Sequence, residues 1–473
     1  MPRTSADRHV GPVFGALRSF LRGSYVEGDR AQAAFDRQHE RDEIGTRVHL
    51  ALAMFFLFFV GGPTSYTELA GLPVFVYSLI RLNNTWRTMI HCLGQPVVIL
   101  LGLWAAWQAT SLAWSPDPGQ GLGEIGSMRW IWVLPALWPV IDRRRFLIAA
   151  LAGGFIAGNI AQALHVFGRE AGIDWLVWPR FADRNSGWWD PVVGGSVLVG
   201  ALGLHLPAAL GGRGRTRWLG LIGAAITLAG ILATGTRGAW LAAGMLLVIT
   251  VAVGAARVRP RRNLLVPGAV GAGVVLIAVL IAWLTLGESI AERYRTGRSE
   301  IARAIQDGDY STDTGARINM WIWGGRAWAR HPIVGVGAGG YRAWTLKQMQ
   351  AGGVETTTNP IHDHAHSAPI QIAATTGLVG LTITGLILLV AVRGGLTGAP
   401  ASDAYALGPG VAIVGLALAG LFDSIHLNAQ TGALMATLLA LCLYARPTLQ
   451  PPPWQHDSQP RRQRPRARAQ ETS

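Results

Sequence analysis

Residues 367–392 read SAPIQIAATTGLVGLTITGLILLVAV, a run without a single Asp, Glu, Lys or Arg. A helix needs roughly 17 to 25 mostly apolar residues to cross the hydrocarbon core of a bilayer, so this segment predicts a transmembrane helix and with it a membrane fold. Working outward, further spans are expected at 46–62, 70–80, 94–114, 128–141, 146–166, 193–210, 218–234, 238–255, 264–286, 406–422 and 431–445, which makes about twelve. The second and fourth are short, and a re-entrant segment is the alternative for each. The expected fold class is an all-α polytopic membrane protein.

Composition agrees. Half of the 473 residues are hydrophobic, only 14% are charged and the mean hydropathy is +0.30, which excludes a string of ordinary soluble domains. The 60 glycines suit transmembrane helices, where small residues let backbones approach closely. A formal charge of +14 raises nucleic acid binding, but the basic residues lie in short clusters between apolar runs and form no single basic face. Nearly all are arginine, Lys347 being the lone lysine. Cys92 and Cys442 suggest neither a disulfide framework nor a CxxC metal site. The first fifty residues hold no apolar stretch followed by a cleavage site, so the first span is expected to act as an uncleaved anchor.

The basic clusters orient the spans, because loops rich in Lys and Arg stay cytoplasmic. With the N-terminus inside, the inner loops become RLNNTWR (81–87), DRRR (142–145), GGRGRTR (211–217), ARVRPRRN (256–263) and RGG (393–395), followed by the tail RRQRPRAR (461–468). The outer loops TSYTEL (64–69), SPDPGQGLGEIG (115–126) and DSIHLNAQ (423–430) contain no Arg or Lys. The expected division is a cytoplasmic tail over 1–45, nine spans over 46–286, an outer loop over 287–366, three spans over 367–446 and a basic, disordered cytoplasmic tail over 447–473.

Three outer segments break the charge rule, and function is sought there. Residues 166–192 carry Arg169, Arg180 and Arg184 among Trp175, Trp178, Trp188 and Trp189. The turn ATGTRG (233–238) carries Arg237, and 287–366 is too long for a plain connection. Within that loop, 288–308 and 314–332 show apolar or aromatic residues at helical spacing, which predicts two amphipathic helices near the outer membrane surface. Arg237 has two readings: an interfacial arginine that snorkels, or an anion clamp in an open turn built by Gly235, Thr236 and Gly238. Arg317 opens the second loop helix, where a solvated helix face is the plain alternative. After it, HPIVGVGAGGY (331–341) stops the helix at Pro332 and permits tight turns at Gly335, Gly337, Gly339 and Gly340, but no Lys-Ser or Lys-Thr pair follows as in a P-loop.

Just before the deciding span stands IHDHAHS (361–367). Alternate spacing puts His362, His364 and His366 on one side of an extended strand. Three readings stay open: a zinc triad with Asp363 orienting one ligand, a polar loop without chemistry, or a single histidine acting as base at the mouth of a membrane cavity. Zinc sites more often draw ligands from separate elements or use helical spacing.

Three segments, TGTRGAWLAA (234–243), ARINMWIWGGRAWARHPIVGVGAGGY (316–341) and HAHSAPIQIAATTGLVGL (364–381), resemble in order the O-antigen ligase family. That family shares its membrane domain with O-antigen polymerases and some bacterial protein O-oligosaccharyltransferases, and the likeness covers about residues 190–395. The resemblance implies a GT-C-like glycosyltransferase of the bacterial inner membrane, with its active site on the periplasmic side and both termini cytoplasmic. It implies transfer of an O-antigen glycan from undecaprenyl diphosphate to the lipid A core, with inversion, in lipopolysaccharide biosynthesis. By the same token Arg237 and Arg317 match the arginines that hold the diphosphate, and His366 matches the essential histidine. Ser367 stands where the family usually has asparagine and His364 is the competitor, while Gly377, Leu378 and Gly380 restore the downstream G-L-x-G and favour His366. Arg180, Arg184, Trp188 and Trp189 are candidates for donor or acceptor contacts, the aromatic belt being the plain alternative for the tryptophans and a structural role the one for Asp423 and His426. Two arginines can stabilise a departing diphosphate, so neither metal nor cofactor is expected; the partners are the lipid-linked donor, the acceptor and membrane lipids, with no nucleic acid. A polymerase or protein-glycosylating ligase of the same superfamily is the alternative. A multispan transporter is the rival from another class, disfavoured because the polar residues gather outside rather than at mid-span.

Overall fold

The computed structural model describes residues 28–178, 185–257, 287–288, 291–356, 359–397 and 404–443, and within them all regular secondary structure is helical, with no strand. The predicted span at 264–286 and both ends of the chain lie outside these residues, as do Arg180 and Arg184.

The helices run in the order α1 (Gly28–Arg41), α2 (Glu43–Val60), α3 (Thr64–Ile80), α4 (Leu82–Leu93), α5 (Pro96–Ser111), α6 (Pro118–Ser127), α7 (Arg144–Ala171), α8 (Pro191–Gly211), α9 (Arg215–Ala233) and α10 (Arg237–Arg257). They continue as α11 (291–306), α12 (Asp313–Arg330), α13 (Gly340–Ala351), α14 (Ala368–Thr397), α15 (Gly408–Ala419) and α16 (Ala429–Leu443). Among the described residues, six helical segments are long and apolar enough to cross a membrane, and three shorter apolar helices accompany them. This is a membrane protein by length and composition; α2, α5, α7, α8, α9, α10, α14, α15 and α16 fall where spans are expected.

Several expectations are corrected. The span at 128–141 is not one helix: it is divided into 3-10 turns at Met128–Trp132 and Trp138–Arg143 around a five-residue α-turn, Val133–Leu137. Pro135 and Pro139 lack the amide that a continuous α-helix needs there. The second span is longer than expected, 17 residues with Pro73 inside it. The inner loop at 81–87 belongs to α4, and α1 lies inside the stretch expected to be a tail, with Phe35 fully buried against Trp138. The loop over 287–366 holds three described helices, α11 to α13, rather than two.

α8 is the hub, with 89% of its apolar window buried. Its small residues permit this: a methyl group on Gly203 would come within 2.6 Å of the Ala412 backbone on α15, so the two helices meet at backbone distance.

α14 positions the site. It breaks at Gly377, whose φ of 66° and ψ of −161° lie outside the helical region. A broken helix leaves amides and carbonyls without partners, which is costly at membrane depth unless protein supplies them. The glycine-rich turn does so. Val336 and Gly337 donate to the Ala374 and Thr375 carbonyls, both at 2.8 Å, while Leu378 and Val379 donate to the Pro332 and Ile333 carbonyls at 2.8 and 3.2 Å. Gly335 has φ 69°, and a methyl group on it would meet the Thr375 carbonyl at 2.4 Å, so only glycine admits this approach. The glycines of 335–340 thus splint a helix break.

Candidate functional site

At the end of the bundle where α14 begins, the chain 359–367 forms an irregular loop, closed at Ala368, whose amide donates to the carbonyls of Gly420 (2.7 Å) and Asp423 (3.1 Å). His366 has φ 48°, the sole non-glycine residue with positive φ among those described. A left-handed conformation costs a non-glycine residue of order 1 kcal/mol and persists where surrounding contacts enforce it. Those contacts are visible. The His366 amide donates to His364 Nδ1 (3.3 Å), and its carbonyl accepts from Trp321 Nε1 (3.4 Å). Its own Nδ1 lies 3.1 Å from Asp423 Oδ1.

That last contact fixes the tautomer. An ionised carboxylate only accepts, so Nδ1 carries the proton and the Nε2 lone pair is left for an incoming group. Burial alone would raise the Asp423 pKa, but the hydrogen bond from His366 and the charges of His366 and Arg317 hold it below the usual carboxylate value. His364 and His362 ring centroids lie 4.2 and 5.4 Å from that of His366. Burial and the neighbouring His366 pull His364 down to about 4, so it is neutral near pH 7. Asp363 orients no histidine; it faces Arg342 at 3.5 Å, and the orienting carboxylate is Asp423 from another loop.

Arg317 reaches the loop that carries Asp423, and the helix start bearing Arg237 packs against it. Arg317, on the first turn of α12, donates through Nη1 to the Phe422 carbonyl at 2.7 Å. Gly238, next to Arg237 at the start of α10, packs against the Phe422 side chain, where a methyl group would sit 2.6 Å from its Cβ. Phe422 and Asp423 therefore tie together the three sequence positions Arg237, Arg317 and His366. Arg237 donates through Nη2 to Glu300 Oε2 (3.0 Å) on α11, while its Nη1 is buried without a hydrogen-bond partner among the described residues. Glu300 also accepts from the Thr314 hydroxyl. The open anion-binding turn is only partly present, because the Gly235 amide donates to Leu232 O and that of Thr236 to Thr234 Oγ1.

Trp189 is not a site-lining residue: it is 1% exposed and wedged against Gly158 and Gly194 within the core. Trp188 stacks edge-on against Trp189 and Trp178, at 6.1 and 6.4 Å. His426 is buried, pulled down to about 4 by that burial, and its carbonyl accepts from Ser127, which fits a structural role. Asp423 by contrast belongs to the site. The sequence held one signal for it, an acidic residue in an otherwise uncharged outer loop; nothing in the sequence paired it with His366, 57 residues away.

Donor atoms of His364, His366 and Asp423 lie within 4.8 Å of one another, so this trio is the one described group able to chelate a metal ion. A metal bound through His366 Nε2 would leave the Nδ1–H to Asp423 bond in place but occupy the lone pair a proton acceptor needs, whereas binding through Nδ1 would require loss of that proton.

Fold and site together define a multi-span helical membrane protein with a histidine–carboxylate pair and two arginines gathered at one end of the bundle. Residues 222–385, about a third of the chain, match the family model described as O-antigen ligase, in agreement with the three motifs. The match contains Arg237, Arg317 and His366 but neither Asp423 nor Glu124. An uncharacterized protein of Haemophilus influenzae is 30% identical over 123 residues, which is 24% of this chain and 31% of that protein, so the similarity spans under a third of the relative's length.

Proposed function

We propose that the protein is an O-antigen ligase: a metal-independent, inverting glycosyltransferase of the bacterial inner membrane, of GT-C type, acting at the periplasmic face. Its donor is O-antigen on undecaprenyl diphosphate and its acceptor the lipid A core. The division into a cytoplasmic tail over 1–45, spans over 46–286 and 367–446, a periplasmic loop over 287–366 and a basic tail over 447–473 belongs to this proposal.

Arg317 and His366 both bond to the Phe422–Asp423 loop, against which Gly238 beside Arg237 also packs, and this arrangement carries the reading. In the reaction the acceptor oxygen bonds to the anomeric carbon while the bond from that carbon to the diphosphate oxygen breaks, its electron pair leaving with the diphosphate. Negative charge grows on the leaving group, and guanidinium donors aimed at it stabilise the transition state more than the ground state. Arg237 has Nη1 unsatisfied, and Arg317 on α12 bonds to the loop that carries Asp423. His366 Nε2 takes the hydroxyl proton as the new bond forms, and Asp423 stabilises the imidazolium that results. Attack opposite the departing diphosphate inverts the anomeric centre. Arg180, Arg184 and Trp188 remain candidates for contacts with the sugars.

Purified protein, lipid-linked O-antigen and core-lipid A in EDTA test this directly. Wild type and His364→Ala should transfer glycan, and His366→Ala should fall by at least about 10²-fold. Transfer abolished by EDTA would instead support chelation by His364, His366 and Asp423. Glycan joined to a second lipid-linked glycan or to a protein, with none on core-lipid A, would make the enzyme a polymerase or protein ligase, and glycan movement without bond formation a transporter.

A further inference from the structure

Glu124 sits on α6, in the polar segment 115–127 between the apolar runs, and is 7% exposed. No part of the chemistry above uses it. Its two oxygens are nonetheless both occupied: Oε2 accepts from the Gly339 amide (3.0 Å), and Oε1 accepts from Gln371 Nε2 (3.2 Å). Gln371 is fully buried on the first turn of α14, and its Oε1 accepts from the amide of Ala365 (2.9 Å), the residue between His364 and His366.

The direction of every bond in this relay is forced. A backbone amide only donates, so Gln371 must turn its oxygen to Ala365 and its NH2 to Glu124. Glu124 then meets two donors, Gln371 and Gly339, and accepts at both oxygens, which its ionised form does best. From these bonds we infer that Glu124 is a positioning residue, which through Gln371 holds the Ala365 amide and so keeps His366 in its left-handed conformation facing Asp423. The inference rests on the reading of His366 as the proton acceptor. The relay also joins the splint of the α14 break to the histidine loop, since Gly339 ends the glycine-rich turn and caps α13.

Burial pushes Glu124 up to about 7, with the Gly339 and Gln371 hydrogen bonds opposing and the nearby Asp363 charge, the one charged neighbour it feels, adding to the rise. The ionised fraction therefore grows as pH rises through 7, and loop order grows with it.

Donor–acceptor parity gives the test. In Glu124→Gln the new NH2 opposes the Gln371 NH2, and in Gln371→Glu two carboxylates face each other. In the double variant Glu124→Gln/Gln371→Glu, the new amide at position 124 accepts from Gly339 and donates to the new carboxylate at position 371, which accepts from Ala365, so all three bonds return. Amide exchange of the peptide covering 361–367, measured by mass spectrometry on the full-length protein in detergent, needs no substrate. Corrected for intrinsic rates, exchange should quicken about tenfold in each single variant and return to within about twofold of wild type in the double. Wild-type protection should increase between pH 6 and 8, and Glu124→Gln should lose that step. Unchanged exchange in Glu124→Gln, or failure of the double variant to recover while its melting temperature matches wild type, would overturn the inference. Glycan transfer assayed on the same samples separates the two readings: wild type inactive on every acceptor, with the exchange pattern as expected, sinks the ligase and leaves the relay standing. kcat should follow the exchange rates, with donor KM unchanged.

Discussion

His366 carries a strained backbone, and its imidazole is held at Nδ1 by Asp423. A carboxylate so placed does two things: it selects the tautomer with the lone pair on Nε2, and it offsets the positive charge that appears when Nε2 takes a proton. Asp423→Asn should keep the shape and lose both. The asparagine side chain can present NH2 to Nδ1, which then holds the lone pair and leaves Nε2 protonated. kcat should drop by at least about 10²-fold with little change in donor KM, measured by initial rates over a range of lipid-linked donor. Because Asp423 is held below the usual carboxylate pKa, it stays ionised at all working pH values, so its titration should put no limb in the wild-type pH–rate profile above pH 5. A variant with kcat within twofold of wild type would show the pair to be ornamental to the chemistry. The sequence made His366 visible through the motif around it, yet Asp423 lay 57 residues on in a loop whose closeness arises only when α14 and α15 pack.

Among the elements, α14 shows best what periodicity reveals and what it conceals. Hydropathy reads the helix correctly over most of its length, because apolar composition is all that a bilayer demands of it. It cannot see the break at Gly377, since the residues on both sides are equally apolar. The glycines at 335–340 and the glycine at 377 are one device written in two places. Four hydrogen bonds from the turn replace those that the helix gives up. Two further readings of these elements failed for related reasons: the run at 128–141 is apolar enough for a span but carries two prolines, and Trp189 resembles an interfacial tryptophan but fills a hole left by Gly158 and Gly194. The splint predicts a contrast within one helix. Gly377→Ala forces a methyl group to 2.2 Å from the Ile333 carbonyl at positive φ, so it should lose about 2–3 kcal/mol, whereas Gly385→Ala, with nothing within 4 Å, should be neutral or slightly stabilising. Thermal unfolding of the two variants in detergent tests it, and equal melting temperatures would remove the splint as an account of the glycine-rich turn.

Across the whole molecule, the polar groups sort to two ends with different chemistry. One end gathers the histidine loop, the carboxylates Glu124, Glu300 and Asp423, Arg237 and the arginines of α11 to α13; the opposite end carries Arg81, Arg143 and the basic connection around Arg213 between α8 and α9. The arginines at the histidine end violate the charge rule that the other loops obey, and an anionic substrate is a physical reason to keep them there. The proposed ligase reaction requires the histidine end to face the periplasm, and that requirement can be tested apart from catalysis. Cys92 and Cys442 are both buried, so a membrane-impermeant maleimide should leave the wild-type protein in intact cells with permeabilised outer membranes unlabelled. Ser311, exposed ahead of α12, and Arg213, exposed between α8 and α9, are single reporters for the two ends. Ser311→Cys should label in those intact cells, and Arg213→Cys only after the inner membrane is lysed. The opposite pattern would put His366 on the cytoplasmic side, where a periplasmic acceptor never reaches it. Labelling of both from outside would mean that α9 does not separate the two ends as a span, in spite of the apolar length of Arg215–Ala233.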